Sequence, residues 1–286
     1  MNETCRLCGS SDAISRYKVK AYTIKECCGC GFVYTSPLAA QESIYNLYKN
    51  KYFSSKGSLG YTDYEENSRI RVATFRYYFS KLEPFLSRKE NVLDVGCADG
   101  SFLRITKDEV FNCNEGIELN EEMFERTSKE FHLYKQPLEQ FVADKEYDLI
   151  TLFDVLEHIP DLKNACAKLG DICRTDGLLV VLTPDYGSRS RKLYGSKWFQ
   201  FKPEEHINYF TEKRMTELLA AYGFETLYTE KGVSRVDQAF IRDRLKRYGY
   251  RFPGFLFSLF GKLIFGGKPY IKINNSSIFL IARRVR

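Results

Sequence analysis

Residues 91–103 read Asn91-Val-Leu-Asp94-Val95-Gly96-Cys97-Ala98-Asp99-Gly100-Ser101-Phe102-Leu103, an apolar strand that ends on a carboxylate, turns on two glycines and re-enters an apolar helix. Such a junction aims free backbone N–H groups and a positive helix terminus at an anionic ligand group, and glycine removes the Cβ that would hold the ligand away. The spacing is Gly-x-x-x-Gly. It departs from the Gly-x-Gly-x-x-Gly of NAD and FAD sites and disfavours a dehydrogenase. Taken alone, the turn also fits plain βα scaffolding.

Eighteen positions past Gly100, a second apolar strand from about Cys113 to Ile117 ends in Glu118. An acidic side chain at the tip of the second strand of a doubly wound sheet can accept both hydroxyls of a ribose, which makes Glu118 the candidate ribose ligand. The alternative is a solvated carboxylate opening a helix over residues 121–130, a task that Glu121 and Glu122 perform equally well. A third apolar run, residues 148–160, carries Phe153-Asp154-Val155-Leu156-Glu157-His158-Ile159-Pro160, and a fourth, residues 177–184, ends in Thr183-Pro184.

Together these residues resemble the class I S-adenosylmethionine-dependent methyltransferases, in the small-molecule branch (sugar and quinone type) whose fourth strand ends in Asp-Val-Leu-Glu-His and whose fifth ends in Thr-Pro. The resemblance spans about residues 91–231. It implies S-adenosylmethionine as cofactor, with Gly96, Ala98 and Gly100 around its methionine part, Glu118 on the ribose, Leu138 beside the adenine and Phe153 near the sulfur. The strand-end carboxylates Asp94 and Asp154 are counted with this cofactor-binding set. Ala98 stands where many members carry glycine. The implied fold is α/β, a Rossmann-like seven-stranded sheet in a three-layer α/β/α arrangement. Its strand order is 3-2-1-4-5-7-6 with the last-formed strand antiparallel; alternating strands and helices alone imply only a mostly parallel sheet.

The N-terminus holds Cys5-Arg-Leu-Cys8, eighteen intervening residues, then Cys27-Cys28-Gly29-Cys30-Gly31. Two Cys-x-x-Cys knuckles at this separation match a four-cysteine zinc ribbon of Cys5, Cys8, Cys27 and Cys30, with Cys28 a spare that could replace Cys27. A closed site of four thiolates makes Zn2+ structural and keeps it away from the chemistry. Disulfides or a redox pair are the competing readings, disfavoured because no charged-then-apolar leader is expected and Cys97, Cys113, Cys166 and Cys173 lie in apolar surroundings that suit reduced core. The run Cys30-Gly-Phe-Val-Tyr34-Thr-Ser-Pro37 followed by Tyr52-Phe53 resembles the zinc-binding headpiece that precedes many bacterial sugar-modifying methyltransferases. C-methylating members usually carry a further C-terminal domain, for which this chain is expected to be too short.

A chain of 286 residues allows one doubly wound domain plus a small headpiece, and about forty residues need a metal staple because they bury too little apolar surface unaided. The expected organisation is a zinc-ribbon headpiece at 1–50, a linker and covering helix at 51–90, and the methyltransferase domain at 91–286. The covering helix is amphipathic over about 68–86, and the domain carries a basic, apolar insertion at about 232–275. Residues 241–286 hold eleven Lys or Arg against the single acid Asp243, a balance of +10 that leaves −4 on the first 240 residues. The insertion includes the greasy run 252–265, too short and interrupted to span a bilayer. It suits either peripheral contact with a membrane or a lipid-linked substrate, or a lid packed on its own domain. A cytoplasmic protein, peripheral at the inner membrane face, is the expected location. Phenylalanines in one compact run differ from the spaced stacking residues of single-strand binders, so nucleic acid is disfavoured as a partner.

Transfer of a methyl group to oxygen needs alignment and removal of a hydroxyl proton, and histidine suits the second task. Of three histidines, His132 reads as structural, whereas His158 and His206 each follow a glutamate after the fourth and fifth strands, on the carboxyl edge where ligands bind. His206 is the expected base and His158 its rival, with Asp154 or Tyr209 positioning the acceptor. Thr211 is a candidate N-cap for a helix over 212–222. Trp198 and Phe199 could wall the acceptor or cover the sheet edge. The Asn-Pro-Pro-Tyr type signature of amino-methylating nucleic-acid enzymes is absent; Thr183-Pro184-Asp185 occupies its place. The expected reaction is O-methylation of a small acceptor, favouring a nucleotide- or lipid-linked sugar in glycan or secondary-metabolite assembly. A quinone or lipid O-methyltransferase, an RNA methyltransferase and a non-catalytic zinc-stapled scaffold are the competing readings.

Overall fold

The computed structural model describes residues 4–38, 45, 68–241, 266 and 268–285. The chain opens with β1 (Ala13–Val19), β2 (Tyr22–Cys27) and β3 (Val33–Ser36), followed by the covering helix α1 (Ser68–Leu82). Alternation then sets in: β4 (Asn91–Val95), α2 (Ser101–Asp108), β5 (Cys113–Ile117), α3 (Glu121–Thr127), β6 (His132–Tyr134), β7 (Tyr147–Phe153), α4 (Leu162–Ile172) and β8 (Cys173–Pro184). After α5 (Arg189–Tyr194) come the short β9 (Asn208–Tyr209), α6 (Glu212–Ala221), β10 (Phe224–Val236) and β11 (Ile271–Arg284).

The main sheet has seven strands in the order β10-β11-β8-β7-β4-β5-β6. Numbered within the sheet, this is 3-2-1-4-5-7-6, and β11 runs antiparallel to both β8 and β10, as the family resemblance implies. The central strands read as unbroken apolar runs because both faces are buried. Leu93, Val95, Ile150, Leu152, Leu179 and Val181 point to one core. Their neighbours Val92, Leu149, Leu178, Val180 and Leu182 point to the other, as the two-residue strand period requires. Helices α4 and α6 cover the first face with Leu169, Met215 and Leu219. Helices α1 and α2 cover the second with Tyr78, Phe79, Leu82 and Phe102.

Several boundaries differ from the sequence expectation for local reasons. The covering helix stops at Leu82 and tightens into a 3-10 turn at Glu83–Phe85, because Pro84 has no N–H to continue the ladder. The helix expected over 121–130 ends at Thr127. Strands β10 and β11 extend to Val236 and begin at Ile271, beyond the expected 224–231 and 277–285, since each supplies the other's ladder. Thr211 is the N-cap of α6, accepting from the Arg214 N–H. The basic run 252–265 and the linker at 54–57 lie outside the described residues. Among those described, no helix is long and apolar enough to cross a membrane.

The N-terminal strands form a second sheet, ordered β1-β2-β3-β9, whose last strand comes from the far side of the chain. Its residues Cys5, Cys27, Phe32 and Tyr34 join one core of the main sheet. Ile24 and Val33 pack with Tyr186, Trp198, Phe201 and Tyr209.

Helix α1 is pinned to the main sheet by Tyr78. Where the β10–β11 register shifts between Lys231 and Val233, the buried Tyr78 hydroxyl donates to the Val233 carbonyl at 2.8 Å and accepts from the Val233 N–H at 2.8 Å. Tyr78→Phe strands both groups and is expected to cost about 2 kcal/mol of stability in urea denaturation; an unchanged midpoint would show that the bulge satisfies itself.

Candidate active site

The glycine turn after β4 is built of backbone that favours glycine. Gly96 has φ +73°, and a Cβ there would meet Val155 Cγ2 at 2.6 Å; Gly100, φ +72°, is the N-cap of α2. Ala98 itself has φ +46°, so the residue that departs from the family's glycine sits in the left-handed region. Two hydrogen bonds hold it there. Its N–H donates to Glu118 Oε2 at 2.8 Å, and its carbonyl accepts from Thr127 Oγ1 at 2.8 Å. Asp99 accepts from the Ser101 N–H and hydroxyl at 3.1 and 2.6 Å and is ion-paired to Arg71 of α1, which ties the turn to the covering helix.

Glu118 is 6% exposed, and its second oxygen accepts from the Asn120 N–H at 2.7 Å. Burial raises its pKa, while the backbone N–H groups oppose the rise. Each oxygen keeps further lone-pair capacity, so this carboxylate can fix the loop and still accept a diol.

Along the sheet order, the carboxyl edge presents Glu118 after β5, the glycine turn after β4, Asp154 to His158 after β7, and Pro184 after β8. Together they line a cavity of about 630 Å³ that also takes in Asp94, Leu138, Phe153 and His206. All of the expected cofactor set except Gly100 faces it, and Gly100 acts one step back by starting α2. Phe153 packs on Phe75 and Phe102, with ring centroids 4.8 and 4.9 Å apart. Asp154 has φ +55°, a conformation that Asp tolerates better than most residues, and burial pushes its carboxyl up to about 6.

The two candidate catalytic histidines, 48 positions apart in sequence, meet with ring centroids 4.9 Å apart. His158 Nδ1 faces the Glu205 carbonyl at 2.9 Å and His206 Nδ1 the Gln200 carbonyl at 2.9 Å. A carbonyl only accepts, so His206 Nδ1 carries the proton and its Nε2 is the acceptor; the His158 ring also meets the Asp154 backbone in addition to the Glu205 carbonyl. Burial lowers both pKa values, His158 to about 4 and His206 well below its usual range, and keeps the rings neutral. Glu157, 1% exposed, accepts from Thr183 Oγ1 at 2.9 Å through Oε2; its Oε1 lies 3.8 Å from His158 Nε2.

Other expected residues separate. Tyr209 is not on the cavity: it packs against Phe201 and Tyr186 beside the small sheet, and its hydroxyl meets Thr35 Oγ1 at 3.5 Å. Trp198 is buried in that same cluster, whereas Phe199 is 57% exposed and borders the cavity. His132 opens β6 and stacks edge-on with Tyr134. Sequence reasoning missed Arg71, Thr74 and Phe75 on α1, Lys202 in the loop before His206, and Asn275 and Ser277 on β11, all of which line the cavity. The polar Asn274-Asn275-Ser276-Ser277 interruption of a strand was the one available signal.

At the N-terminus, the four Sγ atoms of Cys5, Cys8, Cys27 and Cys30 lie within 4.8 Å of one another, with Cys5–Cys30 at 3.6 Å and Cys8–Cys27 at 3.4 Å. Each Cys-x-x-Cys is followed by a glycine at positive φ, Gly9 (+78°) and Gly31 (+68°), so the two knuckles repeat one turn. Cys28 is exposed and stands outside the quartet. Cys97, Cys166 and Cys173 are buried free thiols, and Cys113 is half-buried beside Lys145.

The family model described as "Methyltransferase domain" matches residues 67–229. The chain belongs to this methyltransferase family. It is an S-adenosylmethionine-dependent methyltransferase of the class I fold, and the matched region includes α1. No curated protein sequence matches it. Among solved structures, the methyltransferase is similar to the 1,6-didemethyltoxoflavin-N1-methyltransferase of Burkholderia thailandensis, with 16% identity, TM-score 0.54, and 95% of this chain and 99% of that one covered. It is also similar to the magnesium protoporphyrin IX methyltransferase of Synechocystis, with 15% identity, TM-score 0.50 and 85% and 93% covered. A third match is an S-adenosylmethionine-dependent methyltransferase of Clostridium acetobutylicum, with 14% identity, TM-score 0.50 and 75% and 91% covered. At these identities the likeness is one of fold.

Asp94 carries a pH signature of this methyltransferase. It is 4% exposed and accepts from Thr151 Oγ1 at 2.6 Å; burial pushes its carboxyl from 3.8 up to about 7, against that hydrogen bond. The folded state then binds this proton more tightly than the unfolded chain, so the contribution to stability is complete below about pH 4 and is lost as pH rises through about 7. Asp94→Asn keeps an acceptor for Thr151 and removes the titration. In ligand-free urea denaturation the variant is expected to gain on the parent progressively between those pH values; parallel pH profiles would refute the shift.

Proposed function

We propose that this methyltransferase methylates a hydroxyl oxygen of a small acceptor, with a nucleotide- or lipid-linked sugar as the favoured class. The observation that carries the reading is one cavity with a diol-accepting carboxylate, Glu118, toward one side and two buried neutral imidazoles, His158 and His206, toward the other. S-adenosylmethionine, when bound, supplies the electrophilic methyl carbon on a sulfonium. Glu118 would hold the ribose, the Gly96–Gly100 turn the amino-acid part, Leu138 the adenine edge and Phe153 the region of the sulfur. Asp94 and Asp154 complete this set at the strand ends. His206 and His158 would activate the acceptor. In the ion-free site, His206 Nε2 takes the hydroxyl proton as the new C–O bond forms and the C–S electron pair returns to sulfur. Phe199 and Lys202 border this part of the cavity and suit contact with a polar ring and an anionic group.

The small sheet is read as a zinc-binding headpiece. The 3.4 and 3.6 Å sulfur separations suit four thiolates at about 2.3 Å around one tetrahedral ion. Its likeness to headpieces of sugar-modifying methyltransferases supports the sugar class. Contact with a membrane or lipid carrier is assigned to 252–265, outside the described residues.

Calorimetric titration of the zinc-replete chain with S-adenosylhomocysteine tests the enzyme reading. Micromolar binding is expected, tightened by one member of a nucleotide-sugar panel, and weakened at least about tenfold by Glu118→Ala through loss of charge-assisted hydrogen bonds. Absence of binding by the parent would remove the cofactor assignment. Cys8→Ser is expected to abolish the bound zinc and lower the melting temperature by several degrees; unchanged metal content would remove the ribbon assignment.

A further inference from the structure

At the acceptor side of the cavity, Glu157, His158 and His206 each offer one ligand atom, and these atoms lie within 4.8 Å of one another. Three features set this cluster apart from a chance meeting of polar groups. Glu157 Oε1 has no hydrogen-bond partner although the residue is 1% exposed and lines the cavity. A carboxylate oxygen left so in the interior is costly unless a positive charge meets it. Both imidazoles have Nδ1 against a backbone carbonyl, the outer support that a metal-ligating histidine uses, and the contact that the His158 ring also makes with the Asp154 backbone would give way to the ion. Asp154 lines the same cavity three positions before Glu157, adding acidic character to the site, and Glu205, 2% exposed, lies behind it with its carbonyl on His158.

We propose that Glu157, His158 and His206 bind a divalent transition-metal ion at the acceptor side of the cavity. One carboxylate oxygen with two imidazole nitrogens suits Mn2+, Fe2+, Co2+ or Zn2+, whereas Mg2+ and Ca2+ prefer all-oxygen sets. The 3.8 Å between Glu157 Oε1 and His158 Nε2 exceeds the roughly 3–3.5 Å separation of neighbouring ligands around such an ion, so binding draws this pair together by less than about 1 Å. The cavity side of the cluster is left for the acceptor. This role rests on the acceptor position given under Proposed function. An acceptor hydroxyl on the ion releases its proton to solvent, its oxygen forms the bond to the methyl carbon, and the C–S electron pair returns to sulfur. His206 then acts as a ligand, and the proton no longer passes to its ring.

The test is titration with Mn2+ of the full-length protein loaded with one Zn2+ per chain, enough to fill the thiolate quartet alone, following the paramagnetic resonance signal of free Mn2+. Mn2+ is the probe because a thiolate quartet filled with zinc does not compete for it. One Mn2+ per chain is expected, bound at least about tenfold more weakly by His206→Ala and by Glu157→Gln. Circular dichroism and S-adenosylhomocysteine binding of each variant separate loss of the site from loss of the fold. If Glu157→Gln fails to fold, His206→Ala and the parent decide. Failure of the parent to bind Mn2+, or equal binding by folded variants, overturns the proposal. Mn2+ binding without S-adenosylhomocysteine binding would keep the ion and remove the enzyme reading; the reverse would remove the ion and leave His206 as proton acceptor.

Discussion

The backbone of one residue, Ile207, holds the two halves of this molecule in register. The Ile207 carbonyl accepts from the Thr35 N–H at 3.0 Å and from Arg6 Nη2 at 2.7 Å, while the Ile207 N–H donates to the Glu157 carbonyl at 2.9 Å. The flanking residues reinforce it: the His206 carbonyl accepts from Thr35 Oγ1, and Asn208 Nδ2 donates to the Leu156 and Ile159 carbonyls at 3.1 and 2.8 Å. The N-terminal sheet therefore acts as a template for the segment that carries His206, and that segment is clamped to the turn carrying Glu157 and His158. The cysteine quartet does not line the cavity, yet β3 of its sheet pairs with β9, two residues after His206.

Burial governs the electrostatics of the carboxyl edge. Asp94, Glu118, Asp154 and Glu157 all have raised pKa values and the two histidines lowered ones, with desolvation the first cause in every case. A site so dry favours neutral groups until a charged ligand or ion enters, which makes hydrogen bonds to arriving charge stronger than they would be in water. The carboxylates differ in how they are compensated. Glu118 is held by two backbone N–H groups, whereas Glu157 has one hydroxyl donor and an open oxygen.

Much of the main sheet was legible because its signals are local. Doubly buried strands read as unbroken apolar runs, and the glycines at 96 and 100 mark backbone that other residues resist. Thr211 likewise marks a helix start by a single side-chain hydrogen bond. What escaped depends on partners distant in sequence. Tyr209, expected to position the acceptor, lies off the cavity because β9 pairs with β3, and this turns the tyrosine toward Thr35 and Phe201. The cavity wall contributed by α1 and β11 carries no motif, since Arg71, Asn275 and Ser277 acquire meaning only from the elements they face.

The sequence by itself determined the chain's α/β character, the glycine turn with its carboxylate at the next strand tip, and the paired Cys-x-x-Cys knuckles, because each is a short-range pattern fixed by backbone geometry or side-chain chemistry. Tertiary structure decided that the N-terminal sheet takes its fourth strand from residues 208–209, that His158 and His206 meet, and that Glu157 is buried with an oxygen open. Those outcomes arise from packing and desolvation between segments far apart in the chain, and neither quantity is written in the spacing of residues along it.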